Sequence, residues 1–550
     1  MKASDLMVKC LEEEGIEYIF GVPGEENADF MMSLEESSQI QFILTRHEQG
    51  AAFMAEIYGR LTGTPAGCLS TLGPGATNLI TGVADANMDR APMLVLTGQG
   101  STRRLHKESH QIMDVIKMFE PVTKWATSII HADSIPEIMR KAVRIARSEK
   151  PGAVLVELPE DIATHDTNVM PMKPIRFRRS SANHEMILAA VEKLKAARRP
   201  LILAGNGCVR KRSAQYVREL AELTGIGVLN TFMAKGAIDP DSPQSLYTIG
   251  LGAKDIATCA IDAADLVLSI GFDMVEYHPS LWNTDGDKSI IHVDFQPAEI
   301  DSAYHPEIEL VGDIADTLKV LLDELKKHGE FDFNLAQQAR IRDEMRAEFT
   351  AYGDDKTSGI IKPQKVLHDV QKVYAEDGLL LSDVGAHKMW IARHYHCKTP
   401  NGCLIPNGFC SMGFALPGAI AASIVDPQRK ILGIAGDAGF LMNVQEMETA
   451  ARLNSNITMM VWEDHMYGLI AWKQSAHFGK HTELSFTNPD WGLLAKSFRW
   501  DYQFVGESDQ LLAALNKAAS HHGPSLIVVP IDYSENEKLT QQLGELTCTI

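Results

Sequence analysis

Short runs of β-branched and other apolar residues alternate along this chain with longer stretches in which apolar positions recur every three or four residues. Runs of the first kind suit strands buried on both faces, and the longer pattern suits helices packed along one side. A chain that alternates the two builds parallel sheets with helices on either face. In the first block the strand-like runs are EYIFGVPG, FILTRH, GCLSTLGPG, MLVLTGQ and VLVELPED. The polar and basic stretch HDTNVMPMKPIRFRRSS (165–181) has no periodicity and reads as a linker. A second block runs from PLILAGNG through VLN, LVLSIGF and IIHVDF to VGD at 311–313, and charge-rich helical sequence follows over 316–352. A third block carries LLLSDVG, CLIPNG, KILGIAGD, ITMMVWED and SLIVVPID. The pattern predicts an α/β protein of three doubly wound domains with mainly parallel sheets, over 1–165, 182–330 and 355–540. A length of 550 residues requires several cores in any case.

Composition narrows the class. A hydrophobic fraction of 45% with 23% charged residues is ordinary for a soluble globular chain. The net charge of −20 is spread along the chain, which argues against broad binding to nucleic acid or to an anionic membrane, since both need clustered Lys and Arg. The eight cysteines show no CxxC and no paired spacing, which points to reduced thiols and a cytoplasmic setting. The opening MKASDLMVKCLEEEGIEYIFG enters an acid-bearing amphipathic helix where a secretory signal would need an unbroken apolar core. No window approaches the roughly 20 apolar residues of a membrane span.

Candidate chemistry lies where strands give out. Asp437 follows the strand KILGIAG, and Asp464 follows ITMMVWE 27 residues further on, about one βαβ unit. Either acid alone is explained by helix capping or an exposed turn. Two at one sheet rim repel unless a cation lies between them, and Mg²⁺ takes hard oxygen ligands from one or two carboxylates plus phosphate. Gly436 and Gly439 would let a diphosphate approach the backbone. The Gly73-Pro74-Gly75 turn precedes a small-residue helix, and Glu48 opens another such helix after QFILT. A carboxylate there can be a simple dipole partner. The GNG at 205–207 lacks the full dinucleotide-binding spacing.

Glu48 in RHEQGAAFMAEIYGR, the STLGPGATNL loop and GDA followed by Asp464 together resemble the thiamine diphosphate (ThDP) enzymes, over essentially the whole chain. Within them the chain is similar to the acetolactate synthases, most closely the catabolic, FAD-independent branch. That finer resemblance rests on RLHKESHQIMD (104–114), VEYHPSLWN (275–283), ELVGDIADTL (309–318) and PIDYSENEKL (530–539). It implies a pyrimidine-binding domain, a central domain and a diphosphate-binding domain, in that order. It also implies pyruvate as substrate and a homodimer or homotetramer with active sites between chains. Thiamine diphosphate and Mg²⁺ would be required and FAD would not. The implied cycle decarboxylates one pyruvate and joins the resulting hydroxyethyl carbanion to a second, giving 2-acetolactate; another ThDP-dependent 2-ketoacid decarboxylase or carboligase is the alternative.

By the same resemblance Glu48 hydrogen-bonds the cofactor's aminopyrimidine ring, and Met412 props the cofactor in a bent conformation. Asp437, Asp464 and the main-chain oxygen of Met466 ligate Mg²⁺. His387, Gly436, Ala438 and Gly439 meet the diphosphate, and Pro23, Gly73, Asn78 and Tyr467 complete the cofactor surface. His110 and Gln111 line the substrate end. Three positions depart from the family pattern: Ala438 stands where Gly is usual, Glu463 where Asn is common, and Lys473 where the catabolic branch has Gln and the biosynthetic branch Trp. A cation at 473 would sit beside the acceptor, where it could hold a carboxylate.

Overall fold

Each block of apolar runs becomes one six-stranded sheet, and every strand pairing within the three sheets is parallel. The computed structural model describes residues 1–175, 179–210, 212–250 and 256–536. Linker residues 176–178, and residues 537–540 of the third expected domain with the end of PIDYSENEKL, lie outside the described residues. The first sheet holds β1 (Tyr18–Gly21), β2 (Gln41–Leu44), β3 (Ala66–Ser70), β4 (Met93–Gln99), β5 (Trp125–Ser128) and β6 (Ala153–Pro159) in the order β2-β1-β3-β4-β6-β5. The middle sheet holds β7 (Pro200–Ala204), β8 (Val228–Asn230), β9 (Ser245–Thr248), β10 (Leu266–Ile270), β11 (Ser289–Asp294) and β12 (Ile308–Val311) in the order β12-β11-β10-β7-β8-β9. The third holds β13 (Leu379–Ser382), β14 (Cys403–Leu404), β15 (Ile431–Gly436), β16 (Thr458–Glu463), β17 (Asp501–Phe504) and β18 (Ser525–Pro530), in the order β14-β13-β15-β16-β18-β17. First and third sheets therefore share one winding, and the middle sheet has the 3-2-1-4-5-6 order of a dinucleotide-binding fold.

The strands that apolar pattern did not reveal are β5, β9 and β17, each at a sheet edge. Their sequences, WATS, SLYT and DYQF, are short and carry polar side chains. An edge strand covers less core than a central one, so it needs no continuous apolar run.

The first and third domains pack against each other within the chain. Helix Glu48–Thr62 lies on helix Ala415–Val425, and Phe53 meets Phe414 edge to face with ring centroids 5.7 Å apart. One continuous buried cluster runs from Phe20 and Met54 to Leu381, Ile420 and Trp500. The middle domain has its own cores on the two faces of its sheet. No helix among the described residues is long and apolar enough to cross a membrane. Among the described residues Cys10, Cys68, Cys208, Cys397, Cys403 and Cys410 are free thiols.

Candidate active site

The carboxyl ends of β15 and β16 are neighbours, with Gly436 opposite Trp462 in register, so Asp437 and Asp464 emerge side by side. Asp437 is buried and well held: Oδ2 accepts from the main-chain N–H of His465 (2.8 Å) and Asp464 (3.2 Å) and from the Asn488 amide (2.8 Å), and Oδ1 from the N–H of Ala438 (2.9 Å). Asp464 has less support, a 3.4 Å contact from the Met466 N–H. Burial, and next the charge of Asp437, push its carboxyl up to about 7. Among the described residues no Lys or Arg pairs with either acid. Glu463, the third acid of the run, is turned aside and accepts from the Trp491 indole (2.6 Å) and from Asn488 (3.0 Å).

Beside the acids opens a cleft of about 100 Å³. Its lining includes His387, Met412, Gly436, Asp437, Ala438, Gly439, Asp464, Met466 and Tyr467. His387 is buried with its Nε2 lacking a protein partner, and burial pushes the ring down to about 4, so a neutral imidazole faces the cleft. Added Cβ atoms at Gly385 and Gly439 would lie 2.7 Å from His387 Cε1 and from Asp383 Oδ1, so these glycines keep the floor thin. Hard oxygen donors, an orphaned imidazole nitrogen and a glycine floor fit a divalent cation carrying a diphosphate.

Asp383 was not singled out by sequence, although an acid at the carboxyl end of LLLSDVG is the available signal. It is buried and accepts from the N–H groups of Val384, Gly413 and Ala415 at 2.8–2.9 Å, which fixes the turn that carries Met412. Burial pushes its carboxyl up to about 6. Asn488 was likewise missed, because it lies 51 positions beyond Asp437 with no motif around it.

A second group gathers at the carboxyl rim of the first sheet. Glu48, the first residue of its helix, is buried, and its Oε2 accepts from the Asn78 amide at 3.0 Å. Gly75 leaves room for it, since a Cβ there would lie 3.3 Å from Glu48 Oε1. Gly73 has φ +50°, and a Cβ would meet Gln111 O at 2.9 Å. Pro23 sits in the neighbouring loop, whose Gly24 lies against Thr71. Pro23, His110 and Gln111 are exposed. None of this group lines the Asp437–Asp464 cleft. The expected residues thus form two half-sites, each at the carboxyl end of its own sheet. Lys473 is exposed on helix Gly468–Phe478, whose first turn reaches the cleft while Lys473 itself does not line it.

Comparison with known proteins covers all three domains. Residues 1–118 match the thiamine pyrophosphate enzyme N-terminal TPP binding domain, 187–321 the thiamine pyrophosphate enzyme central domain, and 383–529 the C-terminal TPP binding domain. The acetolactate synthase of Bacillus subtilis (strain 168) is 33% identical, over 100% of this chain and 97% of the relative. The catabolic acetolactate synthase of Raoultella terrigena is 32% identical, over 98% and 97%. The acetolactate synthase isozyme 2 large subunit of Escherichia coli (strain K12) is 30% identical, over 98% and 96%. With its three domains, its winding and its full-length relatives in agreement, the chain belongs to the thiamine pyrophosphate enzymes, in the group of the acetolactate synthases.

Proposed function

We propose that this protein is a ThDP- and Mg²⁺-dependent acetolactate synthase that decarboxylates pyruvate and joins the two-carbon unit to a second pyruvate, giving 2-acetolactate and CO₂. The observation that carries this reading is the Asp437–Asp464 couple, with no Lys or Arg beside it among the described residues, at a cleft lined by His387, whose buried Nε2 has no protein partner. Thiamine diphosphate supplies the electron sink that 2-ketoacid decarboxylation needs. Asp437, Asp464 and the Met466 carbonyl would hold Mg²⁺; His387, Ala438 and the glycines would hold the diphosphate, and Met412 would shape the cleft above it. Glu48 would hold a proton against the pyrimidine ring, its carboxylate aimed by Asn78.

Glu48 and the metal cleft lie on different rims of one chain, so a complete site needs the Glu48 rim of one copy against the metal rim of another. The assembly proposed is a homodimer, or a homotetramer built from such pairs, with Pro23, Gly73, His110 and Gln111 closing the partner's cleft and Tyr467 facing them. Lys473 would then lie near the substrate entrance, where its ammonium can meet the carboxylate of an incoming 2-ketoacid. We assign the protein to the cytoplasm and its reaction to FAD-free chemistry. Support for the latter comes from the middle sheet, where Gly205 and Gly207 pack backbone on backbone at the switch point and Lys150 bridges Asp273 and Asp294.

The test is product identity. Protein incubated with pyruvate, ThDP and Mg²⁺ is expected to release 2-acetolactate; acetaldehyde without acetolactate overturns the reading in favour of a simple decarboxylase. Adding 2-ketobutyrate as a competing acceptor measures the choice of second substrate.

A further inference from the structure

Glu446 opens a helix of the third domain (Glu446–Leu453), yet its carboxylate is spent on the first domain. It is fully buried. Oε1 accepts from the main-chain N–H of Arg46 (3.1 Å) and His47 (3.0 Å). Oε2 accepts from the Arg46 N–H at 3.3 Å and from the Thr449 hydroxyl at 2.6 Å. Arg46 and His47 are the last two of the three residues between β2 and Glu48. The sheet satisfies the N–H of Thr45, which bonds Gly21 O, but its ladder ends there. A run of chain leaving a strand has no ladder partner of its own, and the two carboxyl oxygens of Glu446 serve it as acceptors. The same third-domain helix takes a second hold through Arg452, whose guanidinium donates to Leu44 O.

Gly50 shows that the approach is built in. A Cβ at that position would lie 2.7 Å from Glu446 Oε1 and 2.9 Å from its Cδ. Only a residue without a side chain lets the carboxylate reach past the first helical turn to the N–H groups beyond. Further back along the chain, Asn443 donates to Gly413 O at 2.7 Å, beside Met412. The segment from Asp437 to Leu453 therefore touches the metal rim, the Met412 turn and the approach to Glu48 in succession.

We infer that Glu446 is a positioning residue for Glu48: it clamps the two N–H groups before it and thereby sets where the Glu48 helix begins and how its carboxylate is aimed. The inference rests on the role proposed above for Glu48. A displacement near 1 Å at a reacting group can cost about a hundredfold in rate, so a clamp of this kind is felt in turnover.

The test uses the full-length protein with ThDP and Mg²⁺, and four variants: Glu446→Ala, Glu446→Gln, Gly50→Ala and Glu48→Gln. Four readouts are taken: kcat and KM for pyruvate, cofactor affinity from tryptophan quenching, and amide hydrogen exchange of the peptide spanning residues 41–50. Glu446→Ala is expected to lower kcat about tenfold or more while KM and cofactor affinity move less than about twofold, and to speed exchange at residues 46 and 47. Glu446→Gln keeps an acceptor oxygen and should recover kcat to within about threefold of the parent. Gly50→Ala keeps the carboxylate but displaces it, so it should reproduce the kcat loss and the faster exchange, and adding Glu446→Ala to it should change little further. A folded Glu446→Ala with unchanged kcat overturns the inference, as does a parallel fall in cofactor affinity. Should Glu446→Ala not fold, Gly50→Ala decides alone: unchanged exchange or unchanged kcat overturns it. Glu48→Gln separates the two ideas. If it keeps its turnover, the proposed role of Glu48 fails; if it loses turnover while Glu446→Ala and Gly50→Ala do not, only the positioning role fails.

Discussion

The middle sheet reverses its strand order between β7 and β10, and the third sheet reverses its own between β13 and β15. Crevices at such switch points are where open α/β sheets take ligands, and these two are built in opposite ways. At the third, Gly385 and Gly439 keep the floor thin, Nε2 of His387 has no protein partner, and two acids stand with no Lys or Arg beside them among the described residues. At the middle one, glycines bring backbone onto backbone: a Cβ at Gly205 would lie 2.4 Å from Phe272 Cα, and one at Gly207 would lie 2.6 Å from Gly271 Cα. Two acids also meet there, Asp273 and Asp294, but Lys150 from the first domain reaches both, at 2.5 and 3.1 Å. Arg210 is enclosed alongside and pairs with Glu149 at 3.1 Å. Like charges crowd both rims. One rim is neutralised from within the chain, and the other, among the described residues, is not.

The largest expected contrast follows directly. Asp437→Ala should weaken Mg²⁺-dependent ThDP binding about a hundredfold or more, since a ligand and the anchor of the Asp464–His465 turn are lost together. Cofactor affinity equal to that of the parent would remove the metal assignment. No comparable ligand should respond at the middle rim: added FAD should neither raise the unfolding temperature nor copurify, and a yellow protein with flavin absorbance would show that its crevice opens.

Removing the internal cation is the next test. Lys150→Ala leaves Asp273 with Arg90 at 3.5 Å and strips buried Asp294 of its ion pair, which should cost about 3 kcal/mol of stability, read from denaturant unfolding. A loss below about 1 kcal/mol would mean that water already screens the pair. The corresponding acid pair of the third rim should behave the opposite way and gain stability when Mg²⁺ and ThDP are added.

Much of this contrast was legible in the sequence, and the part that was not has physical causes. Asp437, Gly436 and Asp464 are readable because each stands directly after a continuous apolar strand, where the loop can only face the rim. His387 and Met412 came from resemblance. Asp383, Asn488 and Glu446 act across 30, 51 and 400 positions of chain, and no local pattern announces a partner so far away. The closed middle crevice was half visible. GNG without its full spacing argued against a dinucleotide, but that Lys150 fills the gap depends on how the first domain docks. Central strands were readable for the same reason as Asp437, and the polar edge strands β5, β9 and β17 were not.

A smaller effect should separate the rims by pH. Glu276, at the middle rim, accepts from the N–H groups of Asn206 (3.0 Å) and Asp273 (3.1 Å), and burial followed by the charge of Asp273 pushes its carboxyl up to about 7. A carboxyl raised in the folded state binds its proton more tightly there than in the unfolded chain. Its contribution to stability is complete below the ordinary value of 4.5 and is lost as pH rises through about 7. Glu276→Gln should remove a decline on the order of 1–2 kcal/mol between about pH 4.5 and 7. An unchanged slope in that window would show that Glu276 is ionised throughout.

The smallest change addresses Asn488, the amide shared by Asp437 Oδ2 and Glu463 Oε1. Two carboxylates that would otherwise repel are joined through one donor, and the Trp491 indole donates to the same Glu463 Oε1 at 2.6 Å. That arrangement draws Glu463, where the family commonly has Asn, away from the cleft and from the proposed cation, its Oε1 bound by two N–H donors. Asn488→Ala removes the tie without touching a proposed ligand. Partners of metal ligands typically contribute about tenfold or more in affinity, and here the loss should lie at the low end, because His465, Asp464 and Ala438 still orient Asp437. Combined with Glu463→Gln, which removes the competing charge, affinity should recover toward that of the parent. If Glu463→Gln makes the Asn488→Ala defect worse instead, Glu463 is serving the cation rather than standing aside from it, and the third rim is a three-acid site rather than a pair.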